Sequence, residues 1–218
     1  MRRVSDWSDA LAPTRVNVGC GSAPTPGWIN LDNSPSLLIP DWAIEHLRRL
    51  RVISPPQAAV ARMRTRSGVR RASALRLPFG PESVDAIYSS HMLEHLSRSE
   101  AKRFLLEAKR VLRPGGRLRI VVPDLRRFVE SYVTHGDADS FLADLRMAQD
   151  ERGLKEIVGG FRGHRWMYDA QSLERTLSSI GFEEVCRVSP GETGLPDPGA
   201  LDLREREEES IYLEAVRR

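Results

Sequence analysis

Arg15-Val-Asn-Val-Gly-Cys-Gly-Ser22, followed by Gly27-Trp-Ile-Asn-Leu-Asp32, is the stretch whose reading decides the fold. The first part reads as a short strand, Arg15 to Val18, that runs into a glycine turn. Gly19 and Gly21 carry no Cβ, so backbone there can bend sharply and approach a ligand closely. The second part reads as another strand, ending on a carboxylate. Two adjacent parallel strands, one ending in glycines and the next in Asp32, form a nucleoside site. An ionised carboxylate has two acceptor oxygens, enough for both hydroxyls of a ribose.

The rest of the chain sets the context. At 218 residues it is expected to be one domain, 1–218, with a small cap. Its longest apolar runs are strand-length, and the start of the chain, Met1-Arg-Arg-Val-Ser-Asp-Trp, has no apolar core behind its charge. These features exclude a membrane span and a signal peptide from the expectation. Two cysteines make no disulfide framework, and a reducing cytoplasm is the expected setting.

Downstream, short β-rich runs alternate with helical patterns, the mark of a parallel sheet with helices on both faces. Ser73–Phe79 reads as a third strand and its exit, Val84–Ser90 as the fourth, and Arg117–Val122 as the fifth. Leu118, Ile120 and Val122 share one face of that fifth strand. His91-Met-Leu-Glu-His95 is expected to open the helix that Ser99–Leu112 continues, with Pro114-Gly115-Gly116 ending it. Leu125–Val133, Asp139–Val158 and Gln171–Ile180 read as further helices, the last capped by Asp169 or Ser172. Phe182–Val188 and Ile211–Val216 read as a closing antiparallel strand pair. After Gly21, Pro24 and Pro26 prevent a regular helix. That absence weakens a dinucleotide reading, which needs a third glycine opening a helix and an acid about 20 residues on.

The glycine stretch resembles the cofactor loop of class I S-adenosylmethionine-dependent methyltransferases. LRLPFGPESVDAIYSSHMLEHL (75–96) looks like that family's fourth-strand region, and EAKRVLRPGGRLRIVVPDL (107–125) like its helix, turn and fifth strand. The short Gly-Cys-Gly…Pro-Gly-Trp-x-Asn-x-Asp link resembles a type 11-like subgroup often found beside sugar and polysaccharide genes. The resemblance implies a Rossmann-like methyltransferase fold: α/β, doubly wound, a mostly parallel seven-stranded sheet with an antiparallel C-terminal strand and helical inserts. It implies S-adenosyl-L-methionine as cofactor, S-adenosyl-L-homocysteine as product, and Asn17, Gly19, Cys20, Gly21, Asp32, Asn33, Ser73, Ala74, Leu75, Ser90 and His91 as cofactor-binding residues. The family usually has Asp where Ser73 stands, so adenine recognition is expected to lean on backbone at Ala74 and Leu75.

The expected activity is methyl transfer to a small-molecule acceptor, a sugar-like or other natural-product hydroxyl, and less so a nitrogen. A hydroxyl acceptor needs a base, and His is the natural choice near neutral pH. His91 at the strand end is the first candidate and His164 the second. His-x-x-Glu-His at 91–95 also has the spacing of a zinc protease motif, a short and weakly specific one. Pocket lining by His91 ranks first, Glu94 and His95 stabilising the helix start or touching the cofactor next, a divalent site third and zinc proteolysis last. No metal is assigned; magnesium is the ion considered. Alternatives are a non-catalytic S-adenosylmethionine-binding protein, a metal-dependent hydrolase through His91 and His95, and a nicotinamide oxidoreductase.

Two inserts, 34–71 and 134–165, are expected to cap the substrate. The first holds an Arg run, with nine Arg and no Asp or Glu between His46 and Arg76. The run over 48–76 contains no aromatic residue for base stacking, so a solvated face comes first, an anionic or sugar-like small acceptor second, and nucleic acid is disfavoured. No membrane partner is expected, and oligomeric state is not readable.

Overall fold

The computed structural model describes residues 13–145 and 163–218. Seven strands form one sheet: β1 (Arg15–Val18), β2 (Ile29–Asp32), β3 (Arg70–Arg71), β4 (Val84–Ser90), β5 (Leu112–Pro123), β6 (Glu183–Arg187) and β7 (Ser210–Val216). Their order is β3-β2-β1-β4-β5-β7-β6. Strands β1 to β5 pair in parallel, and β7 runs antiparallel to both β5 and β6. This is the doubly wound, mostly parallel sheet expected from the sequence. The chain winds outward from β1 through β2 to β3, then returns to lay β4 on the other side of β1. The strand order therefore reverses between β1 and β4, and ligands of open α/β sheets sit outside the carboxyl ends of strands at such a point.

The helices are α1 (Asp41–Arg49), α2 (Pro55–Arg66), α3 (Arg98–Val111), α4 (Leu125–His135), α5 (Ala138–Asp144) and α6 (Ala170–Ile180). Ser97 and Asp169 start α3 and α6 through capping boxes, each satisfying two backbone donors that a bare helix end leaves open. Phe104, Leu105, Ala108 and Val111 of α3 and Leu173 and Leu177 of α6 pack on one face of the sheet, against Ile87, Leu118, Ile120, Leu213 and Ala215.

The opposite face is covered differently. With no helix between β1 and β2, Ala86, Tyr88, Val121 and Tyr212 instead meet Trp28 and Leu195 and Leu201 from the long β6–β7 connection. A buried ion pair pins that connection down. Arg119 and Glu214 stand opposite each other in the β5–β7 register, 0% and 1% exposed, with Arg119 Nη1 2.7 Å from Glu214 Oε1. Arg119 also donates to the carbonyls of Glu192 and Leu203, and Glu214 accepts from Thr193 Oγ1 and the Gly194 amide. Trp28 Nε1 donates to the Pro198 carbonyl, closing the same cover from the other end.

Several sequence expectations are corrected. The third strand is Arg70–Arg71, ahead of Ser73, which lies in a turn bridged to Arg76. Strand β5 starts at Leu112 and includes Pro114-Gly115-Gly116; Leu112 pairs with Val84, and a register shift absorbs the irregular backbone. Gly115 has φ +80° there, a conformation that glycine adopts without steric cost. The residues after β4 form a short 3₁₀ turn, Leu93–His95, and α3 begins separately at Arg98. Ser54-Pro-Pro56 opens α2, since proline suits a first helical turn. Trp42 and Leu50 are exposed, and only Ile44 of α1 is fully buried. The proposed helix over Asp139–Val158 is α5 at its start; residues 146–162, with the Gly159-Gly160 joint, lie outside the described residues, as do residues 1–12.

Glu214→Ala strands the Arg119 charge in a dry site, a loss that typically costs about 3–5 kcal/mol for a buried pair. Urea unfolding is expected to show a loss of that size, and a change under about 1 kcal/mol would show that the pair does not anchor the connection.

Candidate functional site

A cleft of about 280 Å³ opens at the carboxyl ends of β1, β2 and β4. Gly19, Gly21, Asp32, Asn33, Ser73, Ala74, Leu75 and His91 line it, so eight of the expected site residues come together. Their convergence follows from the parallel register Val18–Leu31, which levels the ends of β1 and β2.

Asp32 organises the floor. Its Oδ2 accepts the Gly21 amide at 2.9 Å and its Oδ1 the Ser34 amide at 2.7 Å. An ionised carboxylate offers about four lone-pair sites, so each oxygen keeps capacity for a further donor from a ligand. Gly19 and Cys20 both donate their amides to the Leu31 carbonyl, which draws the glycine turn over the end of β2. Gly19 has φ +74°, and a Cβ there would stand 2.3 Å from Met92 Cγ. Both the backbone conformation and the space exclude a side chain.

His91 ends the β4 run with φ +46°, an uncommon conformation for a residue with a Cβ. Its amide bonds the Val121 carbonyl at 2.9 Å, which holds that conformation. On the ring, Nε2 lies 3.0 Å from Ser210 Oγ. Nδ1 lies 3.5 Å from Arg206 Nη1 and 3.3 Å from Glu94 Oε1. The ring is thus oriented from two sides and still forms part of the cleft wall.

Four expected residues do not line the cleft. Asn17 is buried, and its amide group donates to the Ala23 carbonyl and Thr25 Oγ1, where it shapes the Pro-rich link. The Cys20 side chain is buried, and that burial, with the Asp32 charge nearby, pushes its thiol up to about 12. Ser90 ends β4 without lining the cleft. His164 is also buried, its ring centroid 5.2 Å from that of His95. It lies behind the wall, not on it.

His95, singled out in the His-x-x-Glu-His motif, also lines the wall; Ser34, Arg64, Met92, Leu96 and Glu100 line it with no individual signal in the sequence. Arg64 is the informative one. From α2 it donates to the Gly21 carbonyl and to Ser34 Oγ and Ser36 Oγ. The Arg-rich insert therefore reaches the glycine turn through one side chain. Spacing within the run of Arg could not single out that residue, because the choice depends on how α2 folds back.

Residues 49–120 match the family model of a methyltransferase domain. Among solved structures, the chain resembles a SAM-dependent methyltransferase from Thermotoga maritima described as a possible histamine N-methyltransferase, at 18% identity and TM-score 0.52, over 95% of this chain and 84% of that one. A Haloferax volcanii protein solved in complex with the Trm112 methyltransferase activator matches at 16% identity and TM-score 0.50, over 94% and 82%. A Pyrococcus horikoshii protein matches at 14% identity and TM-score 0.51, over 97% and 84%. At these identities the likeness is one of fold. No curated protein matches the chain.

Two measurements check the local geometry. Gly19→Ala should lower the thermal midpoint and remove nucleoside binding, and adding Met92→Ala should restore part of the midpoint by clearing the clash; no recovery would place the cost in the backbone alone. With an aromatic disulfide reagent at pH 8, exposed Cys186 should react at once and Cys20 only on unfolding. Two fast equivalents would contradict the burial of Cys20.

Proposed function

We propose that this chain is a class I S-adenosylmethionine-dependent methyltransferase, a reading supported by the methyltransferase-domain match over residues 49–120 and the shared fold, and that its cleft binds S-adenosylmethionine between the glycine turn and Asp32 and presents it to a hydroxyl of a small, polar, sugar-like acceptor. The observation that carries the cofactor placement is Asp32. Its carboxylate lines the cleft, is held by two backbone amides, and has acceptor capacity left on both oxygens. Gly19 adds a surface where a Cβ has no room, so a flat ligand can lie against backbone. Ala74 and Leu75 border the same cleft and suit the adenine. Ser73 Oγ accepts the Leu75 amide, so its part there is to shape the turn.

When bound, S-adenosylmethionine supplies a methyl group made electrophilic by its sulfonium. The work left to the protein is placement, exclusion of water and a destination for the acceptor's proton. Placement in attack geometry can contribute about 7–11 kcal/mol. His91 is the proposed base. It lies on the wall of the cleft, and the Ser210 hydroxyl, able to donate or accept, fixes its ring plane. His164, behind the wall, is set aside as a base. The polar character of the acceptor is supported by the groups around the cleft: Asn33, Ser34, Arg64, His91 and Glu100. The insert 34–71, which supplies Ser34 and Arg64, fits the role of a cap over it. Among the described residues no helix is long and apolar enough to cross a membrane.

Labelled S-adenosylmethionine with a panel of hydroxylated acceptors tests this reading. His91→Ala should lower kcat by about 10²–10⁴-fold, the usual share of a general base, with the KM for S-adenosylmethionine little changed. Asp32→Ala should instead weaken cofactor binding by at least tenfold, about 1.4 kcal/mol. Full turnover in His91→Ala would leave placement alone as the source of rate. Unchanged cofactor affinity in Asp32→Ala would overturn the site.

A further inference from the structure

Glu94 is 1% exposed, and neither of its carboxylate oxygens makes a hydrogen bond. An ionised carboxylate in a dry site costs several kcal/mol unless a counter-charge or hydrogen bonds compensate it. Around it stand imidazoles. One ligand atom each from Glu94, His95 and His164 lies within 4.8 Å of the other two. His164 is 4% exposed, while His95 is half-buried and reaches the cleft.

The three residues come from two segments docked on each other. Glu94 and His95 belong to the 3₁₀ turn after β4. His164 opens the stretch 163–169, whose Arg165 and Trp166 amides both donate to the Glu94 carbonyl, at 2.7 and 3.2 Å. Farther along, Tyr168 bridges to Asp124 at the end of β5. The Gly163 carbonyl accepts from His95 Nδ1 at 3.3 Å. With the proton on Nδ1, Nε2 of the same ring keeps a free lone pair. A backbone carbonyl fixing the tautomer of an imidazole in this way is the usual support behind a metal-ligating histidine.

We propose that Glu94, His95 and His164 bind one divalent transition-metal ion, zinc first, which staples the turn after β4 to the 163–169 segment beside the cleft. Two imidazoles and a carboxylate are an established zinc donor set, with a fourth position open to water. Magnesium, which demands oxygen ligands in octahedral array, fits poorly. Closure to tetrahedral spacing asks the ligand atoms to approach by roughly 1.5 Å at most, a movement the flexible Glu94 side chain can share. With its carboxylate on the ion, Glu94 is no longer an orphan, and His91 keeps Ser210 and Arg206 as its partners. The inference does not depend on the methyl-transfer reading, since it concerns metal binding by Glu94, His95 and His164, of which only His95 lines the cleft.

The test uses the full chain, stripped by a chelator and titrated with zinc chloride by calorimetry without any nucleoside. Cobalt substitution provides a second, spectroscopic readout through visible bands of a tetrahedral site. One equivalent per chain is expected, with a raised thermal midpoint on binding. Glu94→Gln and His164→Gln should each weaken binding at least tenfold and abolish the cobalt bands; if one variant fails to fold, the other decides. Lack of stoichiometric uptake, or uptake equal in both variants and the parent, would overturn the site. In that case Glu94 is left with its contact to His91 Nδ1, 3.3 Å away. S-adenosylhomocysteine binding, measured separately on the same stripped protein, tells this failure from a failure of the methyltransferase reading.

Discussion

The site depends on one carboxylate. Asp32 ties the amide of Gly21, beyond β1, to that of Ser34, beyond β2. Without it the glycine turn and the start of the insert lose the carboxylate that bonds the backbone of both. Arg64 completes the arrangement from α2 by bonding the Gly21 carbonyl and the Ser34 hydroxyl. Three separate segments thus meet around one charged group. A charge-assisted bond to backbone amides is stronger than a neutral one, so the shape of the cleft and the acceptor capacity of Asp32 have the same origin.

A second constraint follows from the Pro-rich link. Pro24 and Pro26 rule out a helix between β1 and β2, and the sheet face that such a helix would cover needs another cover. The β6–β7 connection supplies it, with Leu195 and Leu201 packing on Trp28, Tyr88 and Tyr212. That connection has little apolar content of its own, and the Arg119–Glu214 pair with its bonds to Glu192, Leu203, Thr193 and Gly194 compensates. Both members of the pair look like ordinary surface residues in the sequence. Only the cross-strand register places them face to face on the inner side.

The sheet order and the closing strand pair were legible because hydrophobic periodicity reports burial directly: Leu118, Ile120 and Val122 do share a face. The exact limits of β3 and β5 were not. Strand β3 is two exposed Arg residues that pair with Leu31 and Asp32, so it has no apolar signature. Strand β5 runs through Pro114-Gly115-Gly116, which local turn rules read as a break. In the site, residues whose role depends on backbone position, Gly19, Gly21, Asp32 and Ala74, were readable from motif and spacing. Residues whose place depends on side-chain direction were not. Asn17 and Cys20 share the motif yet turn inward. His164 docks behind the wall with Glu94 and His95 because its segment is pulled in by the Glu94 carbonyl.

Asp32 is the proposed seat of a nucleoside's ribose. A crystal structure with S-adenosylhomocysteine tests it most directly. The expected result places both ribose hydroxyls within hydrogen-bond distance of the Asp32 carboxylate, with the sulfur on the side of the cleft nearest His91. A nucleoside bound elsewhere, or a ribose that leaves Asp32 to its two backbone amides alone, would contradict it.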